Sequence, residues 1–160
     1  MMDITDISVR ITGDDVMTFI ASGQPMVISD DIKARLNKVR TYLEEKSATR
    51  KAPIYGVNTG FGALCTTAVE RQDLQRLQRN LIISHAAGSG PLAEPAIVRL
   101  MLAAKARNLA LGHSGVRPAL LDALLVLLKE DALPEVPIMG SLGASGDLAP
   151  LSHLSLALIG

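Results

Sequence analysis

Apolar residues recur along this chain with a helical rather than a strand period over most of its length. Ile32, Leu36, Val39 and Leu43 follow Ser29-Asp30-Asp31, whose side chains suit a helix N-terminus, so a helix is predicted from about Asp31 to Lys46. Leu74, Leu77, Leu81 and His85 mark a second one across Glu70 to Ala87, ended by Gly88-Ser89-Gly90-Pro91. Pro95 opens a third, from Ala96 to about Leu111, apolar nearly all round and so expected to be buried. Ser114-Gly115-Val116-Arg117-Pro118 breaks that run and starts another helix over Pro118 to Lys129. The last runs from Leu148 to Ile159. Before these, Thr12-Gly13-Asp14-Asp15 offers caps for a short helix over Val16 to Ser22 closed by Gly23. Ile4, Ile7, Val9 and Ile11 alternate loosely enough for a short edge strand over residues 3–11. Ser47 to Pro53 is polar and reads as a loop, while Pro134 and Pro137 enforce an extended connection.

Composition agrees with a mainly α chain. Hydrophobic residues make up 48% of the 160 but aromatics only 2%, so the core is built from Leu, Ile, Val, Ala and Met. Sixteen Lys and Arg balance sixteen Asp and Glu, which leaves no net field for nucleic acid or an anionic membrane. Cys65 is the single cysteine and forms no internal disulfide, in keeping with a reducing compartment. Met1 to Asp6 lacks the basic and apolar regions of a signal peptide, and no apolar run approaches the ~18 residues of a membrane span. A soluble, cytoplasmic chain is expected. Three scattered histidines and one cysteine make no metal site.

The chemistry gathers in Gly140-Ser141-Leu142-Gly143-Ala144-Ser145-Gly146-Asp147-Leu148-Ala149-Pro150-Leu151. No Lys-Ser/Thr follows the glycines, so this is no phosphate loop. Their spacing is wrong for a dinucleotide fingerprint, and Asp147 stands where a nucleophile elbow needs glycine. By itself the stretch reads as a glycine-rich turn leading into a helix, with room for an anion at the helix N-terminus. Gly146 has no Cβ to shield its nitrogen, and Ser145 carries a hydroxyl that can leave as water. A tightly held loop could therefore close on itself: the Gly146 nitrogen attacks the Ala144 carbonyl, and dehydration leaves a conjugated electrophile.

This stretch resembles the signature of the aromatic amino acid ammonia-lyase and aminomutase family, in which an Ala-Ser-Gly triplet becomes methylidene-imidazolone (MIO). Tyr55-Gly56-Val57-Asn58-Thr59-Gly60-Phe61-Gly62 resembles the family's other signature, and Asn80-Leu81-Ile82-Ile83-Ser84-His85-Ala86-Ala87-Gly88 its histidine-specific branch. The likeness extends from about residue 10 to the last residue. It implies the N-terminal part of the all-helical ammonia-lyase fold of the fumarase/aspartase-like superfamily, with short strands and glycine-rich active-site loops. On that likeness residues 1–160 form an N-terminal portion whose downstream helical bundle is absent. Whether by truncation, cleavage or expression of a piece stays open.

What the resemblance implies for each residue follows from the chemistry of amine elimination. The amine is a poor leaving group, a problem usually solved by a cofactor. Here MIO from Ala144, Ser145 and Gly146 would be a built-in one, without an external cofactor, and the helix N-terminus behind it favours developing negative charge. Tyr55 matches the base that takes the β-proton. That role asks for positive helix ends or a cation beside the phenol, since burial alone disfavours phenolate. Asn58 and the backbone N–H of Gly62 are candidates for positioning substrate. Ser84-His85 stands where the selectivity pair stands, and an imidazole there can pair with a substrate imidazole. The implied reaction is elimination of ammonia from L-histidine to give urocanate, in a homotetramer when full length, with this portion alone inactive. The alternatives are a phenylalanine or tyrosine ammonia-lyase or aminomutase, or a non-catalytic assembly module with an uncyclised loop. His113 and His153 read as structural, and Asp147 as a helix cap or loop anchor.

Overall fold

The computed structural model describes residues 12–22, 28–49 and 52–160, so the strand expected over residues 3–11 and the Gly23 stop lie outside the described residues. Six α-helices and two short strands follow in order: α1 (Gly13–Ala21), α2 (Asp30–Thr49), α3 (Leu74–His85), β1 (Ser89–Leu92), α4 (Pro95–Ala110), α5 (Pro118–Lys129), β2 (Pro137–Met139) and α6 (Leu148–Ile159). They divide into two compact units, each built from two separate stretches of chain: residues 1–42 with 93–134, and residues 43–92 with 135–160.

Local signals start most of these helices. At α1, Thr12 and Asp15 form a reciprocal capping pair: the Thr12 N–H donates to Asp15 Oδ2 at 2.8 Å and the Asp15 N–H to Thr12 Oγ1 at 3.2 Å. The Thr12 hydroxyl and then its backbone N–H hold the Asp15 carboxyl below the usual range. Ser29 Oγ accepts from the Ile32 N–H and starts α2. Pro95 and Pro118 occupy the first turns of α4 and α5, where a missing N–H costs nothing.

The first unit packs α4 against α5 and α1. Ala103, Ala106 and Ala110 on α4 are fully buried, and Leu102 and Leu121 fill the core with no exposed surface. Burying each such leucine contributes about 1.5–3 kcal/mol. The expectation that α4 is buried all round holds on this face only, because Ile97 is exposed. After α5, Asp131 takes a left-handed conformation (φ 51°). Both of its oxygens accept from Arg99 on α4, at 2.8 Å each.

This pair makes a pH prediction. The Arg99 hydrogen bonds, with its charge, hold the Asp131 carboxyl below its ordinary range. A depressed carboxyl contributes stability that is present above its unfolded pKa and is lost as pH falls through its folded one. Melting temperatures followed from neutral pH into the acid range should fall less steeply in Asp131→Asn, which tolerates the left-handed backbone but cannot ionise. Parallel acid limbs in the two proteins would remove the pair from the account.

The second unit contains every residue singled out for chemistry. α3 packs on α6, and β1 pairs with β2 antiparallel, with Ser89 opposite Met139 and Leu92 opposite Pro137 around an irregular register. Thr59, Gly60, Val136, Ala149, Ser152 and Leu154 are buried in it. Three boundaries differ from expectation. α2 continues through Ser47 to Thr49, and the Glu70–Ala87 helix resolves into a 3₁₀ turn over Arg71–Asp73 followed by α3. Gly88-Ser89-Gly90-Pro91 does more than stop a helix, since it leads directly into β1. None of the described helices is long and apolar enough to cross a membrane.

Candidate active site

The Tyr55 motif is a knot of turns rather than a regular element. The Ile54 carbonyl accepts from the N–H groups of Val57 and Asn58, at 3.0 and 3.2 Å. Asn58 Oδ1 in turn accepts from the Ile54 N–H at 2.7 Å, so one end of that amide braces the loop. Thr59 is fully buried; its hydroxyl oxygen accepts from the Gly56 N–H and donates to the Gly60 carbonyl. Gly56 and Gly62 take positive φ (71° and 57°), a conformation with little penalty only for glycine. The chain beyond is pinned where the Val69 N–H meets the Asn58 carbonyl at 2.8 Å.

This knot presents Tyr55 to solvent, 64% exposed, with its ring against Phe61 at 5.6 Å between centroids. Phe61 meets the His85 imidazole edge-on at 5.7 Å. One phenyl ring therefore lies between the proposed base and the proposed selectivity residue, which are thirty positions apart in sequence. Gln78 adds a second brace, donating from α3 to the carbonyls of Val57 and Gly56 at 3.2 and 3.5 Å. Neither Phe61 nor Gln78 was singled out from sequence. The available signal was spacing: Gln78 precedes His85 by two helical turns and so shares its face of α3.

The tautomer of His85 follows from its partner. Nδ1 lies 2.7 Å from the Leu81 carbonyl, which can only accept, and 3.3 Å from the Ser84 hydroxyl, a geometry that suits the tautomer with the proton on Nδ1 and Nε2 as the acceptor. Ser84 donates its hydroxyl to the same carbonyl at 3.2 Å and is thus tied to the backbone of its own helix.

Gly143–Ser145 form a 3₁₀ turn closed by Gly146, which is left-handed (φ 90°) and donates its N–H to the Gly143 carbonyl at 3.2 Å. Ala144 and Gly146 are exposed. Nothing lies within 4 Å of where a Gly146 Cβ would stand. Asp147 occupies the N-cap of α6 in a left-handed conformation but makes no side-chain cap. Instead its Oδ1 accepts from the Ser141 hydroxyl, so of the two roles expected for it the loop anchor is the one observed. At the front of the loop, Gly140 lies backbone to backbone on the end of α3. A Cβ there would stand 3.2 Å from Gly88 Cα and 3.3 Å from the Ala87 carbonyl oxygen. The stretch that begins at Gly140 thus starts against the residues that follow Ser84-His85. His153 accepts from the Gly88 N–H at 3.0 Å, and His113 is exposed. No cluster of potential metal ligands occurs among the described residues.

Known proteins resemble this chain in sequence and fold. A family model for aromatic amino acid lyases matches residues 11–160. A histidine ammonia-lyase of Paracidovorax citrulli is 45% identical over 94% of the chain, and one of Deinococcus radiodurans 46% identical over 90%. The tyrosine aminomutase of Streptomyces globisporus superposes over 99% of the chain with a TM-score of 0.88 and 36% identity. The chain spans under a third of each, 29%, 27% and 29% of their respective lengths.

Proposed function

The chain belongs to the aromatic amino acid lyase family, and on that premise we propose that it carries the electrophile-forming and substrate-selecting part of an enzyme that eliminates ammonia from L-histidine to give urocanate. The observation that carries the choice of substrate is the 2.7 Å contact between His85 Nδ1 and the Leu81 carbonyl. With Nδ1 donating to Leu81, Nε2 is left to accept from an imidazole N–H. Relatives titled histidine ammonia-lyase at 45–46% identity support the same reading.

Ala144, Ser145 and Gly146 fit an MIO group. They form a tight turn with a left-handed glycine at its close and open space on that glycine's Cβ side. When formed, the group supplies an electrophilic carbon that takes up the substrate amine and makes its nitrogen a better leaving group. The remaining work falls to side chains. The Tyr55 phenolic oxygen takes the β-proton, with its ring packed against Phe61 on the loop that Gln78 braces. Asn58, with Oδ1 engaged by Ile54, has its amide protons for the substrate carboxylate, and the Gly62 N–H joins it. His85 holds the substrate imidazole, with Phe61 against its own ring.

Full-length protein incubated with L-histidine should produce the rising ultraviolet absorbance of urocanate, and far less product from L-phenylalanine or L-tyrosine. His85→Leu should lower kcat/KM for histidine by about 10²-fold or more and narrow the preference over the apolar substrates, because a site built to pair a polar group loses its discrimination with that pair. An unchanged ratio would assign the protein to another chemistry of the family, with tyrosine aminomutase, whose structure is similar, the first to assay. A loop that never dehydrates in full-length protein would favour a non-catalytic assembly module.

A further inference from the structure

Both ends of the 140–147 loop converge on one residue, Gly88. At the front, Gly140 packs its backbone on Gly88 so closely that a Cβ would stand 3.2 Å from Gly88 Cα. At the back, the loop runs into α6, and from that helix His153 Nε2 accepts the Gly88 N–H at 3.0 Å. A Cβ on Gly88 itself would fall 2.9 Å from the same Nε2 and 3.2 Å from Pro137 Cβ, so imidazole, glycine and strand are in direct contact. Gly88 follows α3 and immediately precedes β1, which β2 holds by pairing.

We propose that His153 is a positioning residue for formation of the electrophile, fixing the distance between the two ends of the loop by binding α6 to Gly88. This rests on the reading that the Ala144-Ser145-Gly146 loop cyclises. Closure needs the Gly146 nitrogen to bond the Ala144 carbonyl carbon, whereas in the open loop its N–H is turned to Gly143. The carbonyl oxygen leaves as water with one proton from each of the Gly146 and Ser145 nitrogens. A second water takes the Ser145 hydroxyl and its Cα proton, so no oxidant is required. The costly part is compressing the turn, and compression requires ends that do not yield. One end is fixed by a glycine-on-glycine contact. The other is fixed through a hydrogen bond whose acceptor is a neutral imidazole nitrogen. His153 acts through Gly88 and α6.

The experiment follows intact mass in full-length protein over time after synthesis, for wild type, His153→Leu, His153→Asn and His153→Gln. Gln can place an acceptor where Nε2 stands, Asn is too short, and Leu offers none. The wild type should lose two waters; if it does not, the cyclisation reading fails and the role of His153 with it. Given a dehydrated wild type, the Leu and Asn variants should form the dehydrated species about tenfold more slowly and Gln should restore it. Each variant's circular dichroism and melting temperature identify its folded fraction, in which the rate is read. Once dehydrated, each variant should show KM and kcat near wild type, because the residue sets formation and not turnover. Folded Leu and Asn variants dehydrating at the wild-type rate would overturn the proposal, as would a folded Gln variant as slow as Leu. Failure of both Leu and Asn to fold leaves Gln to decide: a melting temperature and dehydration rate near wild type support the acceptor role, and slow dehydration at a normal melting temperature refutes it.

Discussion

Ser145→Ala protein is expected to keep at least the second of the two waters that the wild type should lose from its calculated mass, and lyase activity should drop by on the order of 10³-fold or more. Two independent features carry this result. The hydroxyl is the only leaving group in the triplet that can generate a carbon-carbon double bond, so alanine removes the second dehydration whatever happens to the first. The backbone, by contrast, accepts the change: Ser145 lies in a 3₁₀ turn that alanine tolerates. Loss of activity with the fold retained therefore isolates the electrophile. Equal masses relative to calculation in variant and wild type would end the assignment of this loop.

Tyr55→Phe should be the next most severe change, lowering kcat by about 10²–10⁴-fold, the usual worth of a positioned general base, while KM moves little. The reason lies in how the ring is held. The Tyr55 ring packs against Phe61 at a tilt of 52°, a ring-to-ring contact that does not need the hydroxyl. Phenylalanine keeps that contact and loses only the proton acceptor. Steady-state kinetics on urocanate formation would separate this from a binding role, which would raise KM at unchanged kcat. Tyr55→Phe with wild-type kcat would move the base elsewhere in the protein.

What could be read from sequence was what is encoded locally. α5 begins at Pro118 and ends at Lys129 as expected, because a proline suited to the first turn and a leucine period bound it within a dozen residues. α6 likewise matches its apolar run. The β1–β2 pair was not legible, because Gly90 and Pro91 read as turn residues and become a strand only through a partner far along the chain. The Ser47–Thr49 extension of α2 escaped for the opposite reason: polar residues at a helix end carry no apolar period, and an exposed last turn needs none. In the site, motif spacing named Tyr55, His85 and the Ala144–Gly146 triplet. It could not show that Phe61 lies between the first two, nor that Asn58 spends its oxygen on Ile54. Those are consequences of packing, visible only when α3 and the glycine knot are folded together.

The interleaving of the two units has a consequence for biosynthesis. Residues 43–92 leave the ribosome well before residues 135–160, and the intervening stretch belongs to the other unit. A nascent chain that has emerged only as far as α5 can pair α4 with α5, a local contact, but lacks the α6 and β2 that pack on α3 and β1. Residues 43–92 therefore reach their full packing only once residues 135–160 have emerged, and the Ala144-Ser145-Gly146 turn arrives in the same stretch that completes the unit.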